Sequence, residues 1–148
     1  MKVSAVYAVM TQARNCALVM FESAVFIQSE LANVRMNDAL RMQTEKVCTA
    51  LIGTKHDIIT ELDELDELLD SETSASVIHS WFDLIMGWFW DDIDRMHQLV
   101  TALQSANTQD PECGSAYVLL AETATNILNA YNRAKVAANS LRLEAEGI

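Results

Sequence analysis

The chain has 148 residues, a formal net charge of −11 and an apolar fraction of 51%. Four glycines and one proline are too few for a turn-rich β-protein, and the apolar fraction excludes a disordered chain. With 21 acidic against 10 basic residues, direct binding to nucleic acid is disfavoured, because phosphates are neutralised by Lys and Arg. The length suits a single domain over residues 1–148 with a substantial core.

Three cysteines, Cys16, Cys48 and Cys113, have neither CxxC nor metal-type spacing. This odd, scattered set is typical of a reducing compartment, so we predict a cytoplasmic protein whose cysteines are small buried apolar residues. The longest apolar run, from Cys16 to Ile27, contains Glu22 and is too short to cross a bilayer. We therefore expect no membrane contact, and we predict neither a cofactor nor a metal site.

Four segments repeat apolar residues at alternating intervals of three and four, the spacing of one stripe on a helix. They predict helices over residues 3–34, 38–70, 74–106 and 111–146, each roughly 50 Å long. The expected N-terminal capping signals are Asn37 or Asp38, Ser71 or Ser74, and Asp110 followed by Pro111.

The second stripe keeps its phase across Gly53, so we expect one helix there, although a kink or a split at Gly53 is the alternative. Helices of matching length joined by short connections favour antiparallel neighbours. The sequence therefore predicts an all-α, single-domain, antiparallel up-down-up-down four-helix bundle.

The negative charge is concentrated in one stretch of the chain. Between His56 and Asp94 there is no Lys or Arg, and this window holds twelve of the 21 acidic residues. The nine acidic residues elsewhere are balanced by all 10 basic ones. In the predicted bundle the window forms much of the hairpin of the second and third helices, so this flank is expected to be strongly acidic.

Asp66, Glu67 and Asp70 lie in the last turn of the predicted second helix, where each negative charge opposes the helix dipole by a few tenths of a kcal/mol. Stability alone would favour Lys or Arg there. We therefore interpret the window as a surface for a basic partner; the alternative is a solvated face that only confers solubility. The predicted partner-binding residues, called the acidic face below, are Asp57, Glu61, Asp63, Glu64, Asp66, Glu67, Asp70, Glu72, Asp83, Asp91 and Asp94.

Aromatic residues accompany these acids on the third helix. Trp81 and Trp88 fall to one side of its core stripe and Trp90 to the other. One seam between helices does not bury both flanks, so at least one of these tryptophans is expected to contact a partner or a second copy. All three are candidate aromatic anchors.

A second reading starts from Asp66-Glu67-x-x-Asp70 followed by Asp91-x-x-Asp94, which resembles the EExxE…ExxD pattern of the all-α nucleotide pyrophosphohydrolases. The resemblance implies Mg²⁺-dependent hydrolysis of a nucleotide by carboxylates on adjacent helices. A hairpin that turns near residue 73 places Asp91 level with Lys55, however, and roughly 20 Å from Asp70 along the axis.

The leading prediction is a non-enzymatic protein that inhibits or sequesters a basic partner, of the nucleic-acid-binding or nuclease type. Its carboxylates would stand in for phosphates, as in nuclease-immunity or phage anti-defence proteins, a comparison of class rather than of sequence. The alternative is a structural bundle that self-associates, with a homodimer as its simplest assembly. The pyrophosphohydrolase-like enzyme is the second alternative.

Overall fold

Four long helices lie in the part of the chain that the computed structural model describes, namely residues 3–68 and 75–145, with side chains described for 6–67 and 80–140. They are α1 (Val3–Glu30), α2 (Asp38–Leu68), α3 (Ala75–Gln109) and α4 (Gly114–Ala145), and a 3₁₀ turn, Pro111–Cys113, precedes α4. α1 packs against α2 and α4, and α3 packs against the same two helices. The predicted all-α four-helix bundle is confirmed.

Contacts between neighbouring helices show how they run. Where two neighbouring helices touch, residues with higher sequence numbers on one helix contact residues with lower sequence numbers on the other. This holds for α1 with α2 and for α2 with α3, so both helix pairs are antiparallel. The contacting residue pairs are Arg14–Asp63, Phe21–Lys55, Glu61–Trp81 and Thr54–Asp92.

The end of α1 differs from the prediction, because the helix stops at Glu30 rather than at residue 34. The Asn33 N–H donates to the Glu30 carbonyl over 2.9 Å, a tighter turn than an α-helix makes. The Arg41 guanidinium, from α2, donates to the carbonyls of Leu31 and Val34. Terminal carbonyls are thus satisfied by a side chain instead of another helical turn. Leu31 is nevertheless buried, which explains why the apolar stripe runs past the helix end.

The other helix ends follow the predicted signals more closely. Asn37 caps α2, since its Oδ1 accepts from the Leu40 N–H over 2.9 Å. Asp110 caps the 3₁₀ turn by accepting from the Glu112 N–H over 3.1 Å, so the first turn before α4 is 3₁₀ rather than α. α3 continues three residues beyond its predicted end, to Gln109. Ser71 and Ser74, the predicted caps of α3, lie outside the described residues.

α2 is one uninterrupted helix through Gly53, as predicted. Most described residues of the predicted stripes are buried in the core, and the three cysteines are free and buried, as expected. Burial raises the pKa of the Cys16 thiol to about 12 and that of Cys48 to about 11. Both thiols are therefore protonated at neutral pH and act as small apolar core residues.

Candidate protein-binding face

The outer surface of α2 and α3 carries exposed carboxylates, and the chain from His56 to Asp94 contributes no basic side chain to it. Because like charges at this density are not neutralised within the window, the surface has a negative potential that extends into solvent. The exposed members of the acidic face are Asp57, Asp63, Glu64, Asp66, Glu67, Asp83, Asp91 and Asp94. Glu61 is half-buried, and Asp70 and Glu72 lie outside the described residues.

Two basic side chains bound the acidic face on the side of α1. Arg14 donates to Asp63 Oδ1 over 3.1 Å, and the Lys55 ammonium lies 4.7 Å above the centre of the Phe21 ring. Both members of the Arg14–Asp63 pair are substantially exposed, so the pair contributes at most about 1 kcal/mol to stability. Its larger effect is to weaken the negative potential at this edge of the acidic face.

Trp81 and Glu61, two predicted site residues, bind each other. The Trp81 Nε1–H donates to Glu61 Oε2 over 2.8 Å, joining α3 to α2 in a partly buried hydrogen bond. Trp88 is also partly buried and packs against the core. These side chains therefore support the packing of α2 on α3, whatever further contact they make.

Trp90 presents more of its surface than the other two tryptophans. Half of it, 50%, is exposed, and on the same helix Leu84 is 51% exposed. The Trp90 ring centre lies 6.0 Å from that of Tyr131 at an interplanar angle of 46°, a favourable tilted arrangement. Because Tyr131 is itself buried, this contact helps to fix the orientation of Trp90 while leaving part of the indole open to a partner.

Asp92 lies in the acidic window but is not a surface residue, since its exposed fraction is 0%. Its Oδ1 accepts a hydrogen bond from the Arg95 guanidinium, and its Oδ2 has no hydrogen-bond partner among the described residues. Burial raises the pKa of Asp92, although the nearby Thr54 hydroxyl and Arg95 charge oppose the increase. One signal in the sequence marks this position: Asp92 is seven residues from both Ile85 and Leu99, which are buried.

The register of α2 and α3 decides whether the pyrophosphohydrolase-like carboxylates meet. Asp92 lies beside Thr54, so Asp91 is level with Lys55, as the hairpin argument predicted. Asp66 is eleven residues further along α2, roughly 17 Å at the helical rise of 1.5 Å per residue. The structure therefore does not bring the described carboxylates of the two halves of this pattern together.

No protein-family model, curated protein or solved structure matches the chain. Within residues 3–68 and 75–145, His, Cys, Asp and Glu form no group of three or more placed to hold a metal ion. In the same part of the chain, no helix combines the length and hydropathy that crossing a bilayer requires. The charge and exposure of the α2–α3 surface are therefore the basis for a functional proposal.

Proposed function

We propose that this chain is a non-enzymatic binding protein that inhibits or sequesters a basic partner protein through the acidic face. One observation carries the proposal: from His56 to Asp94 the chain places exposed carboxylates on α2 and α3 without any basic residue, and the half-exposed Trp90 adjoins Asp91 on α3. Nucleic acid and membrane are not the proposed ligands. The three buried free thiols suit a reducing compartment, which we propose is the cytoplasm.

The mechanism is competition for a surface that would otherwise bind nucleic acid. Such surfaces are rich in Lys and Arg because they neutralise phosphates. Carboxylates held on a packed helical pair can meet the same basic side chains, and their field accelerates association at low salt. Trp90 adds an apolar surface from which water is released when the partner binds, and aromatic contacts of this kind dominate the affinity of many interfaces. Occupation of the basic surface then prevents the partner from binding its own ligand.

Charge reversal tests the proposal directly. The immobilised protein is used to capture partners from lysate of its source cell, and the captured proteins are identified by mass spectrometry. We expect a basic, nucleic-acid-binding protein to be captured by the wild type and lost by the triple variant Glu64→Lys, Glu67→Lys, Asp91→Lys. Raising the salt from about 0.1 to about 0.5 M should also release it, because the Debye length shortens from roughly 10 Å to less than half of that.

The matched control reverses three exposed carboxylates elsewhere, in the triple variant Glu22→Lys, Glu45→Lys, Glu122→Lys, which changes the net charge equally. This control should keep the partner, and circular dichroism should show that both triple variants retain the helical bundle. The purified partner should then lose its binding to nucleic acid when the wild-type protein is added. Equal capture by the acidic-face variant and the wild type would show that the acidic face is not the binding surface.

A structural, self-associating bundle is the second candidate, and the outer side of α1 supports it. Tyr7, Leu18 and Val25 are exposed there and are spaced by eleven and seven residues, which aligns them on one side of the helix. Light scattering separates the two candidates. A stable dimer that dissociates on Leu18→Ser with Val25→Ser favours self-association through α1, and one that dissociates on Trp90→Ala favours self-association through α3. A monomer supports the inhibitor.

A further inference from the structure

On the outer side of α3, one glycine leaves a gap among the surrounding side chains. Gly87 is exposed, and a Cβ atom added there would meet no atom within 4 Å. Residues three and four positions away surround any position on a helix, and for Gly87 these are Asp83, Leu84, Trp90 and Asp91. Gly87 therefore lies between two half-exposed apolar side chains and two exposed carboxylates.

We infer that the basic partner places an arginine side chain on α3 over Gly87, between Leu84 and Trp90; this inference rests on the proposed function. The absence of a side chain at Gly87 lets a partner group approach the helix backbone, where any larger residue would hold it away. The aliphatic part of an arginine covers Leu84, and its guanidinium stacks on the indole of Trp90, an arrangement that favours Arg over Lys.

Charge complementarity decides for a basic occupant over an apolar one. Side chains on a helix lean toward its N-terminus, so the Trp90 side chain is expected to lie over the turn that contains Gly87. Asp91 directly follows Trp90 and lies about one turn beyond Gly87. A purely apolar partner group in this position would remove solvent from the exposed carboxylate of Asp91 without supplying a counter-charge, which is costly. A guanidinium satisfies the aromatic face and a carboxylate together.

Trp90 is suited to this contact because its freedom is already restricted. Its ring rests against the ring of the buried Tyr131, at 6.0 Å between centres. An aromatic side chain that is held in place before binding loses less conformational entropy when a partner arrives. The exposed half of the indole is thus ready for the guanidinium.

The test measures the binding of two fluorescein-labelled probes, the peptides nona-arginine and nona-lysine, by fluorescence anisotropy at about 0.1 M salt. The wild type should bind nona-arginine at least about 5-fold more tightly than nona-lysine, as a cation–π contact predicts. Gly87→Gln fills the open position without changing charge, and it should weaken nona-arginine binding by about 5-fold and remove the preference for arginine. Trp90→Leu should remove the preference as well.

The matched control is Gly53→Gln, because Gly53 on α2 is likewise exposed with nothing within 4 Å of an added Cβ. It should change nona-arginine binding less than about 2-fold. Glutamine favours a helix over glycine, so both variants should fold, as circular dichroism melting will show.

Equal binding by Gly87→Gln and the wild type, or equal losses in the two glycine variants, would overturn this inference. The triple variant Glu64→Lys, Glu67→Lys, Asp91→Lys separates it from the proposed function. If that variant loses the probe while Gly87→Gln retains it, only the arginine site is wrong. If that variant retains the probe, or if the wild type binds neither peptide, the proposed function fails and the arginine site fails with it.

Discussion

The two helix pairs of the bundle differ in both their cores and their surfaces. Among the described residues, the buried side chains of α1 and α4 include seven alanines, whereas those of α2 and α3 include none. The alanines are Ala13, Ala17, Ala24, Ala116, Ala124, Ala130 and Ala134. Large side chains such as Phe82, Phe89 and Leu62 fill the core of the other pair. Short side chains permit a close approach of helix axes, and long ones hold them apart.

The surfaces of the two helix pairs differ in charge. A groove of about 690 Å³ between α1 and α4 is lined by uncharged side chains such as Ala8, Gln12 and Val136, and among the described residues Arg133 is its one charged lining residue. The outer surface of α2 and α3 instead carries the acidic face. The bulky core of α2 and α3 supplies stability that can offset repulsion among their carboxylates, since burying a large apolar side chain contributes about 1.5–3 kcal/mol. This division of roles can be tested by substitution.

The largest effect is expected from Phe89→Ala in the core of α3. Phe89 is fully buried, so the substitution should lower the free energy of unfolding by about 3–5 kcal/mol through lost burial and the cavity it leaves. Urea denaturation followed by circular dichroism measures this change. Leu84→Ala, at an exposed position of the same helix, serves as the control and should change stability by less than about 0.5 kcal/mol.

Ala17→Leu, which enlarges a small core residue of α1, should lower the free energy of unfolding by a smaller amount, about 1–3 kcal/mol. Ala17 is fully buried, so the added carbons must displace neighbouring side chains. The same denaturation experiment applies, with Ala32→Leu at an exposed position as the control. Unchanged stability in Ala17→Leu would mean that the core of α1 and α4 has spare volume and is not closely packed.

Asp92→Asn should stabilise the protein at neutral pH by about 1 kcal/mol, because it removes a buried charge with an unpaired oxygen. The pKa of Asp92 is raised in the folded state, so the folded protein holds this proton more tightly than the unfolded chain. The wild-type protein therefore loses stability as the pH rises from 3.8, the ordinary pKa of an aspartate, through the raised pKa of Asp92. The stability advantage of Asp92→Asn should vanish at low pH, where Asp92 is protonated in both states.

The measurement for Asp92→Asn is urea denaturation at several pH values. The control is Glu64→Gln, which neutralises an exposed carboxylate. It should not raise the free energy of unfolding in this way, because Glu64 is not buried. A loss of stability in Asp92→Asn at neutral pH would show that the Arg95 pair outweighs the cost of burying the charge.

The smallest effect is expected at Gly53 in the middle of α2. Gly53→Ala should raise the free energy of unfolding by roughly 0.5–1 kcal/mol, since alanine favours the helix and its Cβ meets no atom within 4 Å. Thermal denaturation will detect this as a modest increase in Tm. A decrease would indicate that the acidic hairpin needs a bend at Gly53 that alanine resists.

Much of the fold was predictable because its signals are local. The stripe from Val6 to Leu31 places one side of α1 in the core, and Asn37 and Asp110 cap where their side chains can reach free backbone N–H groups. The end of α1 was less predictable, because the carbonyls of Leu31 and Val34 are satisfied by Arg41 from the next helix. That contact depends on how α1 and α2 approach each other.

The sequence by itself determined four amphipathic helices, an antiparallel hairpin of α2 and α3, and a window of acids without a basic residue. Only the tertiary structure decided that Asp92 lies beside Thr54, that Trp81 binds Glu61, and that Trp90 stays half-exposed against Tyr131. The physical reason is that these residues flank the core stripe. A residue on the stripe is buried by any neighbour, whereas a flanking residue is buried or exposed according to the side chains that the adjacent helix brings to it.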